Sequence, residues 1–123
     1  MSKQKQFSKD EPLTPAIFHI LLALSIKKLH GYEIMKKVSE DSKGKINLGP
    51  GTLYGAIKRL VEEGLIIEVR PSFAKATEDR RRYYQLTKKG RKFLNLELER
   101  FSQALKVAKA FNIFPKIELN LAL

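Results

Sequence analysis

Histidines and paired carboxylates are the side chains of this chain that could support acid–base or metal chemistry. His19 and His30 lie eleven residues apart, which is no spacing for two metal ligands. The carboxylate pairs are Glu62 with Glu63 and Glu97 with Glu99. Because helical residues one or two positions apart do not share a face, these carboxylates are expected to be solvated and not to cooperate in catalysis. We therefore expect packing or capping histidines, no metal, no cofactor and no enzymatic activity.

Basic side chains offer a different chemistry, the binding of a polyanion. The chain has 123 residues, with 24 Lys and Arg against 13 Asp and Glu, and a formal net charge of +11. Nine basic and three acidic residues fall between Glu68 and Lys92. Such a concentration is typical of a contact surface, although basic runs also serve solubility alone. Nucleic acid is the first candidate partner, and an anionic membrane or the ribosome is the second.

The third predicted helix carries the side chains best suited to contact nucleic acid. It opens at Gly49-Pro50-Gly51-Thr52, where proline in the first turn is tolerated because the N–H it lacks would be unpaired there. A helical wheel places the core-facing stripe at Leu53, Ile57, Leu60, Val61 and Gly64. The opposite face carries Gly51, Thr52, Gly55, Lys58, Arg59 and Glu62.

This opposite face mixes a hydroxyl, two basic side chains and open backbone, which suits base edges as well as phosphates. A helix that only held the DNA backbone would be more uniformly basic. Lys58 and Arg59 are the best candidates for guanine or phosphate contact, and Gly51 and Thr52 offer donors near the helix start. Tyr54 on the flank is expected to reach a phosphate, with partial burial against the following hairpin as the alternative. Gly55 belongs to the same predicted DNA-binding face.

A hairpin follows this helix. Residues 65–70 and 82–86 are rich in β-branched and aromatic side chains and predict two strands, with residues 71–79 as the tip. Arg80, Arg81 and Arg82 at the start of the second strand are expected to bind the DNA backbone or minor groove beside the helix. Since side chains alternate along a strand, not all three can point toward DNA.

Two helices and an arm precede the third helix. Residues 1–12 are polar and of mixed charge and predict a disordered N-terminal arm. Thr14 and Pro15 start a first helix, expected to reach about Leu29 and to be buried on more than one side. A second helix begins near Tyr32 and ends at residues 42–44. The fold class is therefore mainly α with a small β-hairpin, a winged helix-turn-helix domain over residues 13–87.

No part of the sequence predicts secretion or membrane insertion. There is no cysteine, which excludes disulfides and is compatible with a reducing compartment. The longest apolar stretch, residues 16–26, is too short to span a bilayer. We expect a soluble, cytoplasmic protein without a membrane partner.

The last predicted helix starts after Thr87 and carries an apolar stripe. Its members recur in steps of four and three, and they are Leu94, Leu98, Phe101, Leu105 and Ala108. This heptad spacing is typical of a seam between helices, and it predicts a homodimer joined there. The alternative is that the stripe packs on its own domain. Residues 88–123 are thus predicted to hold a dimerisation helix and an apolar tail that docks against the protein.

Several of these motifs, in this order, resemble the PadR-like transcriptional regulators. They are Leu29-His30-Gly31-Tyr32-Glu33-Ile34, Gly49-Pro50-Gly51-Thr52-Leu53-Tyr54, Glu63-Gly64-Leu65-Ile66 and Arg82-Tyr83-Tyr84-Gln85-Leu86-Thr87-Lys88-Lys89-Gly90. The resemblance covers roughly residues 13–108 and implies a dimeric winged-helix repressor. It also implies that the last helix forms the dimer and that an effector often relieves repression. The short final helix looks like the smaller branch of the family.

Three features depart from the family pattern. Gly55 stands where the family usually has proline, the wing tip at residues 71–79 is long and lacks glycine, and there is no tryptophan. Relatives that hold flat ligands between tryptophans therefore imply nothing about an effector site here. A cavity between the first and last helices is a hypothesis that core packing explains equally well, with Phe18, Leu22, Phe93, Leu96 and Phe101 as its lining.

These observations predict a sequence-specific DNA-binding regulator. In this hypothesis a homodimer binds a palindromic operator in double-stranded DNA, acts as a repressor and responds to a small-molecule effector. The alternative is a constitutive architectural or RNA-associated winged helix without an effector response.

Overall fold

The computed structural model describes residues 6–70 and 81–113, and these form a helical domain with a small sheet. The helices are α1 (Pro15–Ala23), α2 (Gly31–Asp41), α3 (Pro50–Glu62) and α4 (Lys88–Ala110). The strands are β1 (Leu29–His30), β2 (Ile66–Val69) and β3 (Tyr83–Leu86). The predicted fold class is confirmed: helices dominate, and β2 and β3 form the predicted hairpin.

The sheet has the order β1-β3-β2, and both pairings are antiparallel. Ile66 lies opposite Leu86 and Val69 opposite Tyr83 across the hairpin. On its other edge, β3 pairs with β1, where His30 lies opposite Tyr83. We call β2, β3 and the residues that connect them the wing. Because β1 directly precedes α2, this pairing fixes the wing against the start of α2.

The first helix is shorter than predicted. It ends at Ala23, and the expected continuation to Leu29 is wrong, because Leu29 is a strand residue paired with Tyr84. Ser25 marks the break, since its backbone N–H and its hydroxyl both donate to the carbonyl of Leu22, at 3.1 and 2.6 Å. Sheet pairing thus overrides a helical pattern in the sequence.

Side-chain caps begin three of the helices. Thr14 Oγ1 accepts from the backbone N–H of Ile17 at 3.3 Å at the start of α1, as predicted. His30 Nδ1 accepts from the N–H of Glu33 at 3.3 Å, and Glu33 accepts in turn from the N–H of His30 at 3.1 Å. This reciprocal capping box starts α2 and accounts for His30 as a capping histidine. Thr87 Oγ1 accepts from Gly90 at 3.0 Å at the start of α4.

The core lies between α1, the inner faces of α2 and α3, the sheet and the first turns of α4. Its fully buried side chains include Ile20, Leu21, Ile34, Val38, Leu53, Leu60, Leu65, Ile66 and Leu94. The predicted stripe of α3 is confirmed at Leu53, Ile57 and Leu60 and wrong at Val61, which is exposed. Gly64 lies outside the helix with a φ of +78° and ends it as a helix-terminal glycine does.

The start of α4 is fastened to the end of α3. The Thr87 N–H donates to the carbonyl of Leu65 at 3.1 Å, and its hydroxyl donates to the carbonyl of Gly64 at 2.6 Å. Gly90 packs so closely on the Leu65 carbonyl that a Cβ at this position would collide with it. These contacts hold the start of α4 against the residues that directly follow α3.

Residues 6–12 of the predicted arm are described, and Phe7 and Lys9 among them contact the domain. Phe7 is half-buried and packs against the core, and Leu13 is buried in it. The backbone N–H of Leu13 donates to Glu97 Oε1 at 3.2 Å, and the carbonyl of Lys9 accepts from Arg100. Residues 1–5 of the predicted arm lie outside the described residues.

Candidate nucleic-acid interface

The outer face of α3 is exposed, and its first turns carry only small side chains. Gly51, Thr52, Gly55, Lys58 and Glu62 are all exposed, as the helical wheel predicts. A Cβ placed at Gly51 or Gly55 would meet no atom within 4 Å, so the two glycines are not required by packing. They leave the backbone of the first turns accessible to a partner that approaches α3 closely.

Tyr54 lies on one flank of this face. Its side chain is 49% exposed, and its hydroxyl group packs on Gly31, the first residue of α2. Any Cβ at Gly31 would collide with this hydroxyl, so the glycine is what permits the contact. The Tyr54 hydroxyl is therefore held at the N-terminus of α2, where backbone N–H groups also point outward.

The structure separates the two basic residues that the sequence placed together. Lys58 is exposed on the outer face, whereas Arg59 is half-buried on the flank opposite Tyr54. The Arg59 guanidinium lies 3.8 Å from the centre of the Phe7 ring, and its Nε donates to Glu63 Oε2 at 3.2 Å. Lys58 is thus presented to a partner, and Arg59 already has partners within its own chain.

The wing brings further basic groups to the same side of the molecule. Arg81 is exposed, and its Nη1 lies 3.3 Å from His30 Nε2 at the start of α2. The Arg82 side chain is 73% exposed and its Nε lies 3.7 Å from Glu68 Oε1 across the hairpin, an ion pair that holds it weakly. Arg80 and the predicted tip at residues 71–79 lie outside the described residues.

Two aromatic residues of this region were not predicted from the sequence. Tyr32 is exposed and its ring stacks on that of His30, with centroids 6.5 Å apart. Tyr83 meets the same imidazole edge to face at 5.3 Å. The sequence signal that could have identified Tyr32 is its position two residues after the capping His30, at the start of α2.

Positive charge continues onto the first turns of α4. A hydrogen bond to Lys92 and the repulsion between the two ammonium groups lower the pKa of Lys9. In the centre of the sheet, burial raises the pKa of the Tyr84 hydroxyl, and the nearby Glu68 carboxylate adds to this effect. Lys9 and Lys92 therefore place two positive charges close together at the start of α4, whereas Tyr84 belongs to the interior.

The predicted dimerisation stripe divides along α4. Leu94 is buried in the core of its own domain and cannot contact a partner, which corrects its assignment to a seam. Leu98 and Phe101 are 40% and 46% exposed, and Leu105 and Ala108 are partly exposed farther along. The apolar surface continues with Phe111, whereas most of the predicted apolar tail lies outside the described residues.

Side-chain packing accounts for most of the predicted effector cavity. Phe18 and Phe93 are buried in the core, and Leu22 packs against it. The Phe101 ring meets Phe18 edge to face, with centroids 5.0 Å apart. Leu96 instead lines an open depression of about 520 Å³ on the face of α4 that bears Arg91, Asn95 and Glu99.

Two of the carboxylates expected to be solvated are not. Glu97 is 3% exposed and accepts from Leu13 and from Arg100, the latter at 2.6 Å. Glu63 is partly buried beside Phe7 and Arg59. Within residues 6–70 and 81–113, no group of three or more His, Asp or Glu side chains is arranged to hold a metal ion. Among the described helices, none has both the length and the apolar character needed to cross a bilayer.

The order of elements, with an exposed helix beside a basic two-stranded wing, defines a winged helix-turn-helix protein. The sequence pattern of the transcriptional regulator PadR-like family matches residues 20–96. The chain belongs to this family, whose members are transcriptional regulators and not enzymes.

Solved structures agree with this assignment. A PadR family transcription regulator from Clostridium difficile is 30% identical, with a TM-score of 0.65 over 80% of this chain and 98% of that one. A transcriptional regulator from Clostridium thermocellum is 29% identical, with a TM-score of 0.62 over 78% of this chain and 88% of the other. Bacillus subtilis PadR, solved in complex with operator DNA, shares the fold at 20% identity and a TM-score of 0.55, over 87% of this chain and 51% of that protein. No curated protein sequence matches this chain.

Proposed function

We propose that the protein is a homodimeric, sequence-specific DNA-binding repressor that recognises a palindromic operator. The observation that carries this proposal is the exposed face of α3, with Gly51, Thr52, Gly55 and Lys58, flanked by Arg81 of the wing. The complex of Bacillus subtilis PadR with operator DNA supports the same use of this fold. Relief of repression by a small molecule stays a prediction of the family resemblance.

In the proposed complex α3 enters the major groove. Lys58 contacts a guanine or a phosphate, and the Thr52 hydroxyl and the backbone at Gly51 and Gly55 contact the DNA near the start of the helix. The Tyr54 hydroxyl, held at the N-terminus of α2, donates to a backbone phosphate. Phosphate contacts of this kind fix the register of the helix in the groove, and the base contacts supply the sequence preference.

The wing supplies affinity that does not depend on sequence. Arg82 is exposed, and its surface ion pair with Glu68 is long and weak, so this pair opposes a turn toward a phosphate only slightly. Arg80 and Arg81 are proposed to contact the same DNA backbone. Each phosphate contact releases counterions, and replacing these arginines with Ala should flatten the plot of log affinity against log salt by about one unit per lost contact.

A second subunit joins through the exposed part of α4. Leu98, Phe101, Leu105 and Ala108 are the proposed contacts. Two α3 helices related by a two-fold axis would lie about 34 Å apart, one turn of B-DNA, and would match a palindrome.

The deciding experiment is a binding selection on random duplexes, followed by titration of the selected operator. Lys58→Ala should weaken operator binding by about 1 to 3 kcal/mol, the value of one specific base contact, and affect random DNA much less. Lys106→Ala removes another exposed lysine, on α4, and serves as the matched control. Equal affinity for all sequences, with no palindrome recovered, would favour the architectural alternative over a regulator.

A further inference from the structure

Arg59, Phe7 and Glu63 form a closed set in which each residue contacts the other two. The Arg59 guanidinium stacks on the Phe7 ring at 3.8 Å. Arg59 Nε donates to Glu63 Oε2 at 3.2 Å, and the backbone N–H of Phe7 donates to Glu63 Oε1 at 2.6 Å. Both carboxylate oxygens are thus engaged, one by the side chain of α3 and the other by the N-terminal segment.

The N-terminal segment, residues 7–13, is also attached to α4. The buried Glu97 accepts from the backbone N–H of Leu13 and from the side chain of Arg100. The same Arg100 donates to the carbonyl of Lys9. Because the buried Leu13 fixes the end of the segment and Arg100 fixes its middle, Phe7 is brought to the C-terminal half of α3 without depending on Arg59 alone.

The position of Arg59 on α3 gives these contacts a consequence for DNA binding. Arg59 lies seven residues, about two turns, after Thr52, so its backbone lies on the same side of the helix as this residue of the outer face. Its side chain runs toward Glu63, near the end of α3, and so away from the first turns that carry Gly51 and Thr52. The Arg59 side chain is 26% exposed and that of Glu63 15%, so the ion pair between them is less screened than a surface pair.

We propose that the N-terminal segment keeps Arg59 out of the DNA-reading face, with Phe7 and Glu63 as the positioning residues. The inference rests on the proposed function, because it assumes that α3 meets DNA. A cation at the edge of a groove-binding helix attracts phosphate regardless of sequence. Restraining Arg59 lowers the affinity for random DNA and leaves the preference for the operator to Lys58 and its neighbours.

The test is a double-mutant cycle between Phe7 and Arg59, with binding measured on the selected operator and on a random duplex. In the otherwise native protein, Arg59→Ala should change either affinity by less than about twofold. Phe7→Ala removes the cation–π contact. Such a contact changes an equilibrium constant by about twofold to fivefold, and the affinity for the random duplex should increase by that factor. The salt slope should steepen by about one unit per subunit. Adding Arg59→Ala to Phe7→Ala should cancel both changes.

Three further variants separate positioning from folding. Phe7→Tyr keeps the aromatic face and should behave like the native protein, whereas Phe7→Leu keeps apolar bulk without that face and should behave like Phe7→Ala. Glu63→Gln keeps the helix and the acceptor for the Phe7 N–H, and by removing the ion pair it should also tighten random-duplex binding. Thermal melting identifies any variant that has lost the fold.

The outcomes are distinct for the two proposals. If Arg59→Ala weakens operator binding tenfold or more in the native background, Arg59 itself contacts DNA and the inference is overturned. An unchanged salt slope in both Phe7→Ala and Glu63→Gln would also overturn it. If no sequence is selected from random duplexes, the proposed regulator function fails, but the random-duplex cycle still decides whether Phe7 restrains Arg59.

Discussion

The two halves of α4 carry the same apolar periodicity and have opposite environments. In the first half, Phe93 and Leu94 are buried in the core of their own domain. In the second half, Leu98 and Phe101 follow the same spacing, yet they are nearly half exposed, and Val107 beyond them is 44% exposed. Heptad spacing therefore identifies an apolar stripe on α4. Which part of that stripe is buried depends on how far along the helix the rest of the domain extends.

The two halves of α4 are therefore expected to have different roles. The first half stabilises the fold, because its side chains are removed from water in a single chain. The second half has apolar surface left over, and contact with a second copy would bury it. Changes in the first half should lower the stability of the monomer, whereas changes in the second should alter assembly and leave the monomer folded.

Leu94→Ala tests the first half and should have the largest effect. A fully buried leucine truncated to alanine costs about 2 to 5 kcal/mol, from lost burial and the cavity left behind. Denaturant titration measures the loss, with Leu98→Ala as the matched change in the exposed half. Equal losses of monomer stability in the two variants would remove the distinction between the halves.

Two charges in the second half should separate the subunits. The double variant Leu98→Glu, Leu105→Glu would bury unpaired carboxylates at the proposed seam, and the cost of burying them opposes association. Sedimentation should show a folded monomer. The control Gln103→Glu, Ala110→Glu adds the same charge on the opposite side of α4 and should stay dimeric. A dimer that persists in the first variant would place the interface elsewhere.

Glu97 and Glu99 lie where the buried half of α4 meets the exposed half, and their variants can be compared directly. Glu97→Ala leaves the buried N–H of Leu13 without its acceptor and should cost about 1 to 3 kcal/mol. Glu99 is exposed, and Glu99→Ala should change the free energy of unfolding by less than about 0.5 kcal/mol. Denaturant titrations of both variants make the comparison, and similar values would mean that the hydrogen bond to Leu13 contributes little.

Phe101→Ala should destabilise the monomer less than Leu94→Ala or Glu97→Ala. Within a single chain, this variant removes the edge-to-face contact with Phe18. Such ring pairs contribute about 0.5 to 1.5 kcal/mol to the free energy of unfolding. The same variant should weaken self-association, which a dilution series in sedimentation measures. A large loss of monomer stability without any effect on assembly would place Phe101 functionally in the first half.

The sequence predicts the local features of this fold and not its long-range contacts. The start of α3, the hairpin and the caps at Thr14 and Thr87 follow from residue types within a few positions of one another. The local pattern predicts a helix up to Leu29, whereas the sheet partner that makes Leu29 a strand residue, Tyr84, is more than fifty residues away. Composition alone cannot reveal such pairing.

The same limit applies to the candidate interface. Lys58 and Arg59 are equivalent basic residues on a helical wheel, and the contacts of Arg59 with Phe7 and Glu63 distinguish them. Glu97 looked solvated because its neighbours in sequence are polar, although its partner is Leu13, 84 residues away. Periodicity describes one element, whereas burial depends on what packs against it.

The contacts of Thr87 and Gly90 with the carbonyls after α3 also bear on the spacing of the DNA half-sites. Because these contacts tie the start of α4 to the end of α3, a dimer assembled through α4 would favour one separation and angle of its two reading helices. Operators whose half-sites are closer together or farther apart would then have to be bent or twisted to fit, at an energetic cost that depends on the flexibility of their central base pairs. In such a dimer, the base pairs that no side chain touches would help to rank one operator above another.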